Sequence, residues 1–213
     1  VKDSKNKYDL IFMDIMMPEM NGYELCRLIK NNVETSHIPV ILLTARTESD
    51  DVLTGYQSGA EAYVKKPFDP TILELQISNI LRLQKARQQE LVEAGFDNID
   101  TSSLGQLDKE FMQQINRIVT DNLSNSDFSI GDITDSLSIS RTLLHVKMKN
   151  LTGMSMGEYL HTRRIEEACR LLLEGYNVSE TAYQTGFSDP NYFSKAFRKH
   201  KLMSPTEWLR QNK

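Results

Sequence analysis

This chain is poor in long apolar runs, in cysteine, in histidine and in net positive charge. It has 213 residues, 39% of them hydrophobic and 25% charged. No apolar stretch approaches the ~18 residues that a bilayer-spanning helix needs, so nothing in it reads as a membrane span. Cys26 and Cys169 are the only cysteines. They lie far apart and form no C-x-x-C, so both are expected to be reduced packing residues of a cytosolic protein. The four histidines, His37, His145, His161 and His200, show no metal-ligand spacing, which excludes a structural zinc site. Net charge is -4, and taken alone this argues against a nucleic-acid partner. An initiator Met is missing from the opening Val1-Lys2-Asp3, so a longer parent is expected.

Local charge tells a different story from the total. Between Arg141 and Asn150 the charged residues are Arg141, Lys147 and Lys149, without an acid. Between Lys195 and Lys201 they are Lys195, Arg198, Lys199 and Lys201, again without an acid. Basic segments in an acidic chain weigh more than the sum.

Short apolar runs bounded by polar or Pro/Gly residues predict buried strands at 9–14 (DLIFMD), 38–44 (IPVILLT) and 61–65 (EAYVK). Helical stretches are expected at 23–32 and 48–58, with Gly59 where a helix-ending glycine belongs. A third helix starts after Pro70 and carries Leu73, Ile77, Ile80 and Leu81 on one face. Strands alternating with helices imply a parallel sheet. Beyond about residue 86 the strands cease. A polar stretch broken by Gly95 and Gly105 reads as a fraying helix end and a linker. From Asp108 onward the pattern is helical throughout. One stripe is Phe111, Ile115, Ile118, Val119 and Leu123; another is Ile165, Ala168, Leu172 and Leu173. The expected domains are 1–85, a linker at 86–108, and 109–213.

Two features carry chemistry. In FMDIMMPEMNG an apolar run stops on Asp14 and drops into a loop marked by Pro18 and Asn21-Gly22. In the second half, SISRTLLHVKMKN matches GFSDPNYFSKAFRKH at a shift of about 49 positions. Each copy puts a short helix and a tight turn before a basic helix, which is a helix-turn-helix.

Residues 9–82 resemble the last three βα units of a response-regulator receiver domain, through DLIFMDIMMPEMNG, PVILLTA and GAEAYVKKPFD. The resemblance implies a partial flavodoxin-like parallel sheet. It makes Asp14 the acceptor of a phosphoryl group from a phosphohistidine. Thr44 would bond the acyl phosphate, Lys66, before a cis Pro67, would pair with its oxygens, and Tyr63 would be the aromatic that changes rotamer. The Met16 carbonyl and Asp14 would contribute to a Mg²⁺ site. The acidic pair of a first strand is missing, so that site is expected to be incomplete and Mg²⁺ to bind poorly here. With the first two strands missing, the 9–14 strand is expected to be an exposed edge.

Residues 109–211 resemble an AraC-type DNA-binding domain, most closely in RRIEEACRLLLEGYNVSETAYQTGFSDPNYFSKAFRKH and SPTEW. Thr134 and Ser138 stand where that family usually has Ala and Gly, and Leu202 where a Gly commonly ends the last recognition helix. The resemblance implies two helix-turn-helix units joined by a helix from about Met156 to Glu174, about 27 Å long, near the scale of one DNA turn. By position, Arg141, Thr142, His145 and Val146 face outward from the first recognition helix, and Asn191, Ser194 and Lys195 from the second. Lys149, Arg198 and Lys199 are expected at phosphates.

The expected whole is a cytoplasmic, non-enzymatic regulator. It comprises an α/β receiver followed by an all-α tail that binds promoter DNA, with a histidine kinase as phosphodonor, a homodimeric state and no small-molecule substrate. The domain order resembles the C-terminal end of hybrid regulators, whose kinase-bearing parent would be anchored in the inner membrane. A phosphatase of the haloacid-dehalogenase type is excluded, because it needs a second acid where Met16 stands. The alternative is a DNA-binding or dimerisation fragment whose shortened receiver no longer accepts phosphate.

Overall fold

A computed structural model describes residues 8–45, 58–93 and 105–213. Most of the helix expected at 48–58 lies outside the described residues. The chain divides into two compact units, the first built on a sheet and the second helical.

In the first unit three parallel strands, β1 (Ile11–Asp14), β2 (Val40–Thr44) and β3 (Ala62–Lys65), stand in the order β1-β2-β3. They are shorter at their N-terminal ends than the apolar runs predict. Side-chain alternation explains how both faces are filled. Met13, Val40 and Leu42 pack with Tyr23, Cys26 and Ile29 of α1 (Gly22–Lys30). Ile41, Ala62 and Val64 point the other way, against Leu73, Ile77 and Ile80 of α2 (Pro70–Glu93). Asn21 caps α1 by accepting from the Tyr23 N–H at 3.0 Å. Gly59 takes φ +86°, in the left-handed region. Among the described residues β1 is an edge strand, and Phe12 on it is 47% exposed.

The second unit holds most of α3 (Gln106–Asp121, which begins two residues before the predicted start), α4 (Ile130–Leu137), most of α5 (Arg141–Thr152), α6 (Met156–Glu174), α7 (Val178–Gln184), α8 (Pro190–Lys201) and α9 (Pro205–Asn212). The sequence sets several starts by the same device. Ser129, Ser155, Asn177 and Ser204 each cap a helix, and Asp132, Glu158, Glu180 and Glu207 return the bond to the cap N–H. The α6, α7 and α8 helices close on Ile165, Ala168, Leu172, Ala182, Phe187, Phe193 and Phe197. Edge-to-face contacts run from Phe187 to Phe193, then Phe197, then Trp208 of α9, at 5.2, 5.7 and 6.0 Å.

One stripe is corrected. Leu173, expected in the core of α6, is 47% exposed, and Leu171 is buried in its place. Ile165, Ala168 and Leu172 pack in one cluster with Ala182 of α7 and Phe193 and Phe197 of α8, and Leu173 falls outside that arc.

Candidate functional site

Parallel register brings the first group of residues together. Asp14 ends β1 opposite Leu43, and Thr44 ends β2 opposite Lys65, so Asp14, Thr44 and Lys66 meet at the C-terminal edge of one sheet. The Lys66 ammonium pairs with Asp14 Oδ2. The Met16 N–H donates to Asp14 Oδ1 at 3.1 Å. Together, Lys66 first and the Met16 amide second, they hold the Asp14 carboxyl below the ordinary carboxylate range. Thr44 is buried, 1% exposed, at the base of the group. Lys66–Pro67 is a cis peptide bond. The Tyr63 hydroxyl meets the Tyr23 hydroxyl at 2.8 Å. Sequence reasoning missed Tyr23, although its place two residues after the Asn21 cap sets it beside the Asp14 loop.

Gly22 answers why Asn-Gly follows the acid. Its N–H donates to the Ile15 carbonyl at 3.0 Å, and a Cβ there would lie 2.3 Å from the Asp14 carbonyl oxygen. The α1 N-terminus therefore packs directly on the backbone of the Asp14–Ile15 segment, and only glycine lets it approach so closely.

The donor set does not complete a magnesium site. Asp14 and the Met16 carbonyl supply two kinds of oxygen ligand, short of the octahedral shell that Mg²⁺ demands. Among the described residues no group of three or more His, Cys, Asp or Glu could hold a metal ion.

The second group lies on the two turn-preceded helices α5 and α8. On α5, Arg141, Thr142, His145 and Lys149 are exposed, while Val146 is half-buried. Lys147 is fully buried, so the basic segment read from sequence is thinner at the surface than its composition: Lys147 falls on the inward side with Met148 and Leu144. On α8, Asn191, Lys195, Arg198 and Lys199 are exposed. Ser194 departs from its expected outward position. It is half-buried, and its hydroxyl donates to the Pro190 carbonyl at 2.9 Å. Arg198 lies 3.8 Å from Glu207, an exposed and weak pair. The departures from the family pattern are accommodated locally. Thr134 hides its hydroxyl by donating to the Gly131 carbonyl at 2.8 Å. Ser138 and Leu202 adopt φ +53° and +61°.

A strand-tip carboxylate beside a lysine and a buried threonine, on a parallel sheet followed by two helix-turn-helix units, has the arrangement of a receiver-type module joined to a helix-turn-helix module. The family comparisons agree. Residues 2–78 match the response regulator receiver domain, and residues 133–211 match a helix-turn-helix domain. A protein named histidine kinase P4 from Formosa agariphila is 35% identical over 205 residues, 96% of this chain and 15% of that protein. The probable transcriptional regulator ycf29 of Pyropia yezoensis is 38% identical over 154 residues, 68% of this chain and 67% of that one. The C-terminal domain of the two-component response regulator yesN from Fusobacterium nucleatum is 29% identical, covers 47% of this chain and 98% of its own, and superposes with a TM-score of 0.45. The chain spans only 15% of the kinase's length. It belongs to the response regulators, with a receiver domain and an AraC-type helix-turn-helix domain.

Proposed function

We propose that this chain is the output end of a two-component system, in which phosphorylation of Asp14 regulates sequence-specific binding of promoter DNA by residues 109–213. The observation that carries the reading is the convergence of Asp14, Thr44 and Lys66 at one sheet edge. An anionic Asp14 oxygen attacks the phosphorus of a phosphohistidine. The O–P bond forms as the P–N bond breaks, and the imidazole leaves with a proton. Lys66 then turns from the carboxylate to the incoming phosphoryl oxygens, and the Thr44 hydroxyl bonds one of them. Tyr63 senses the change by leaving its hydroxyl partner. The donor is a histidine kinase. Identity with one such protein across nearly the whole of this chain supports a donor in the same parent polypeptide. Reading of promoter DNA implies work in the cytoplasm.

The chain by itself offers an incomplete set of metal donors, which favours a second reading of these 213 residues as a DNA-binding unit that accepts phosphate slowly. Incubation with a small phosphodonor and Mg²⁺, followed by intact mass, separates the two. Slow labelling that becomes fast when preceding βα units are supplied, and that Asp14→Asn abolishes, supports the proposal for the parent. Labelling that survives Asp14→Asn sinks it. Self-association is proposed along β1, on which Phe12 is 47% exposed and ahead of which Tyr8 is 45% exposed. Sedimentation should detect dimers that disappear in the isolated 109–213 segment.

On DNA, Arg141 and Asn191 are the base readers, since Arg pairs bidentately with guanine and Asn with adenine. Thr142, His145, Val146, Ser194 and Lys195 border them, and Lys149, Arg198 and Lys199 hold phosphates. Arg141→Ala and Asn191→Ala should each cost about 1–3 kcal/mol on a selected site and relax one base position. Lys199→Ala should weaken every duplex alike and reduce the salt slope by about one unit. Equal loss on selected and scrambled duplexes for Arg141→Ala and Asn191→Ala counts against base readout.

A further inference from the structure

With the Ser194 hydroxyl turned back onto Pro190, the outward arc of α8 is occupied by Asn191, Tyr192, Lys195 and Lys199. All four are exposed, and their i, i+1, i+4 and i+8 spacing places them on one helix face. Tyr192 is the largest group of the four and is 53% exposed. It lies within the first turn of the helix, immediately after Asn191, and the first turn of a recognition helix is where base edges are met. Its ring is also held. Its centroid lies 6.0 Å from that of Phe187, at 50°. Phe187 is buried and is fixed in turn by Phe193 at 5.2 Å and by the Arg164 guanidinium 5.9 Å from its ring. One side of Tyr192 thus leans on a rigid aromatic stack while the rest faces solvent.

We infer that Tyr192 determines specificity by packing its ring against the C5 methyl group of a thymine next to the base read by Asn191. This rests on the DNA-reading proposal above and adds to it a residue and a base. Thymine alone presents a methyl group in the major groove, and apolar side chains recognise it by contact. A tyrosine ring has few torsions to lose on binding, and the Phe187 support removes part of that loss beforehand.

The test uses the full 213-residue chain and a duplex selected from a random library. Each thymine is replaced in turn by deoxyuridine, which deletes the methyl group and changes nothing else in the groove. At one position adjacent to the Asn191-dependent base, the wild type should lose about fourfold in affinity, the effect of one buried methyl group. Tyr192→Phe should keep that loss. Tyr192→Ala should bind the thymine duplex more weakly and be indifferent to deoxyuridine at that position alone. A wild type that selects a duplex but is blind to every thymine methyl overturns this inference and leaves the DNA-reading proposal standing. So does a Tyr192→Ala chain that stays as methyl-sensitive as the wild type. Tyr192→Phe binding as weakly as Tyr192→Ala on all duplexes overturns it in favour of a hydroxyl-to-phosphate contact. Failure of the wild type to enrich any duplex overturns both.

Discussion

Two single residues show how local rules reverse when the fold presses on them. Glycine in a helix is ordinarily worse than alanine by roughly 0.8–1 kcal/mol. At Gly22 the balance inverts, because a Cβ would stand 2.3 Å from the Asp14 carbonyl oxygen and 2.7 Å from the Ile15 Cα, both backbone atoms. Overpacking of this kind costs about 1–3 kcal/mol and displaces the loop that follows Asp14. Gly22→Ala should lower the urea midpoint and slow acyl-phosphate formation; an unchanged midpoint would mean the loop yields freely. Leu202 is the opposite case. It ends α8 at φ +61° while 87% exposed, so it bears the left-handed cost of about 1–2 kcal/mol without burying anything in return. Leu202→Gly should therefore raise the thermal midpoint of the helical unit, measurable by calorimetry.

Among the elements, α1 is held at both ends by groups far apart in sequence. At its C-terminal end the Lys30 ammonium donates to the Ile38 carbonyl at 2.9 Å and to Glu61 Oε1 at 2.6 Å, while Glu61 Oε2 accepts the Val40 N–H at 2.7 Å. This clamp fastens helix α1 to the starts of β2 and β3. Lys30→Met keeps the stem but strands those acceptors, and it should destabilise the first unit by about 1–3 kcal/mol in chemical denaturation. The two recognition helices differ more than their repeat suggests. Arg141, Thr142, His145 and Lys149 form the exposed arc of α5, whereas that of α8 runs through Asn191, Tyr192, Lys195, Arg198 and Lys199. Aligned on the buried pairs Leu144/Phe193 and Met148/Phe197, the arcs share Thr142/Asn191 and Lys149/Arg198, but the exposed Tyr192, Lys195 and Lys199 fall where α5 has the half-buried Leu143, Val146 and Asn150, so the two helices are not interchangeable.

At the scale of the whole molecule, the two units answer pH differently. Asp14 titrates below the ordinary carboxylate value, so its ion pair is present above that value and is lost only as pH falls through the lowered pKa. Phosphoryl acceptance should show no acid limb from Asp14 near neutrality. In the helical unit, His161 and His200 are both shifted down from 6.5, first by desolvation, then by Arg164 and Lys199 for His161 and by Lys201 for His200. Below pH 6.5 the unfolded chain binds more protons than the folded one, so stability is full above 6.5 and declines as pH falls toward the lowered values. The thermal midpoint of 109–213 should drop below pH 6.5, and a His161→Gln/His200→Gln pair should flatten that slope. Cys169, whose thiol is pushed up to about 11 by burial, should resist alkylation in the native protein at pH 7.

Sequence by itself determined the alternation of strands and helices, the strand ends that carry Asp14 and Thr44, the position of Lys66, and the doubled helix-turn-helix. Each of these is written in neighbouring residues: an apolar run that stops, a turn before a basic helix. Tertiary structure alone decided that Lys147 is buried and Leu173 exposed, that Ser194 turns inward and leaves Tyr192 on the face, that Lys30 closes on Glu61, and that Gly22 must lack a side chain. A helical period states which residues share a face. Which face is covered depends on partners brought from distant parts of the chain, and closest approach between two backbones leaves no mark in the spacing of either.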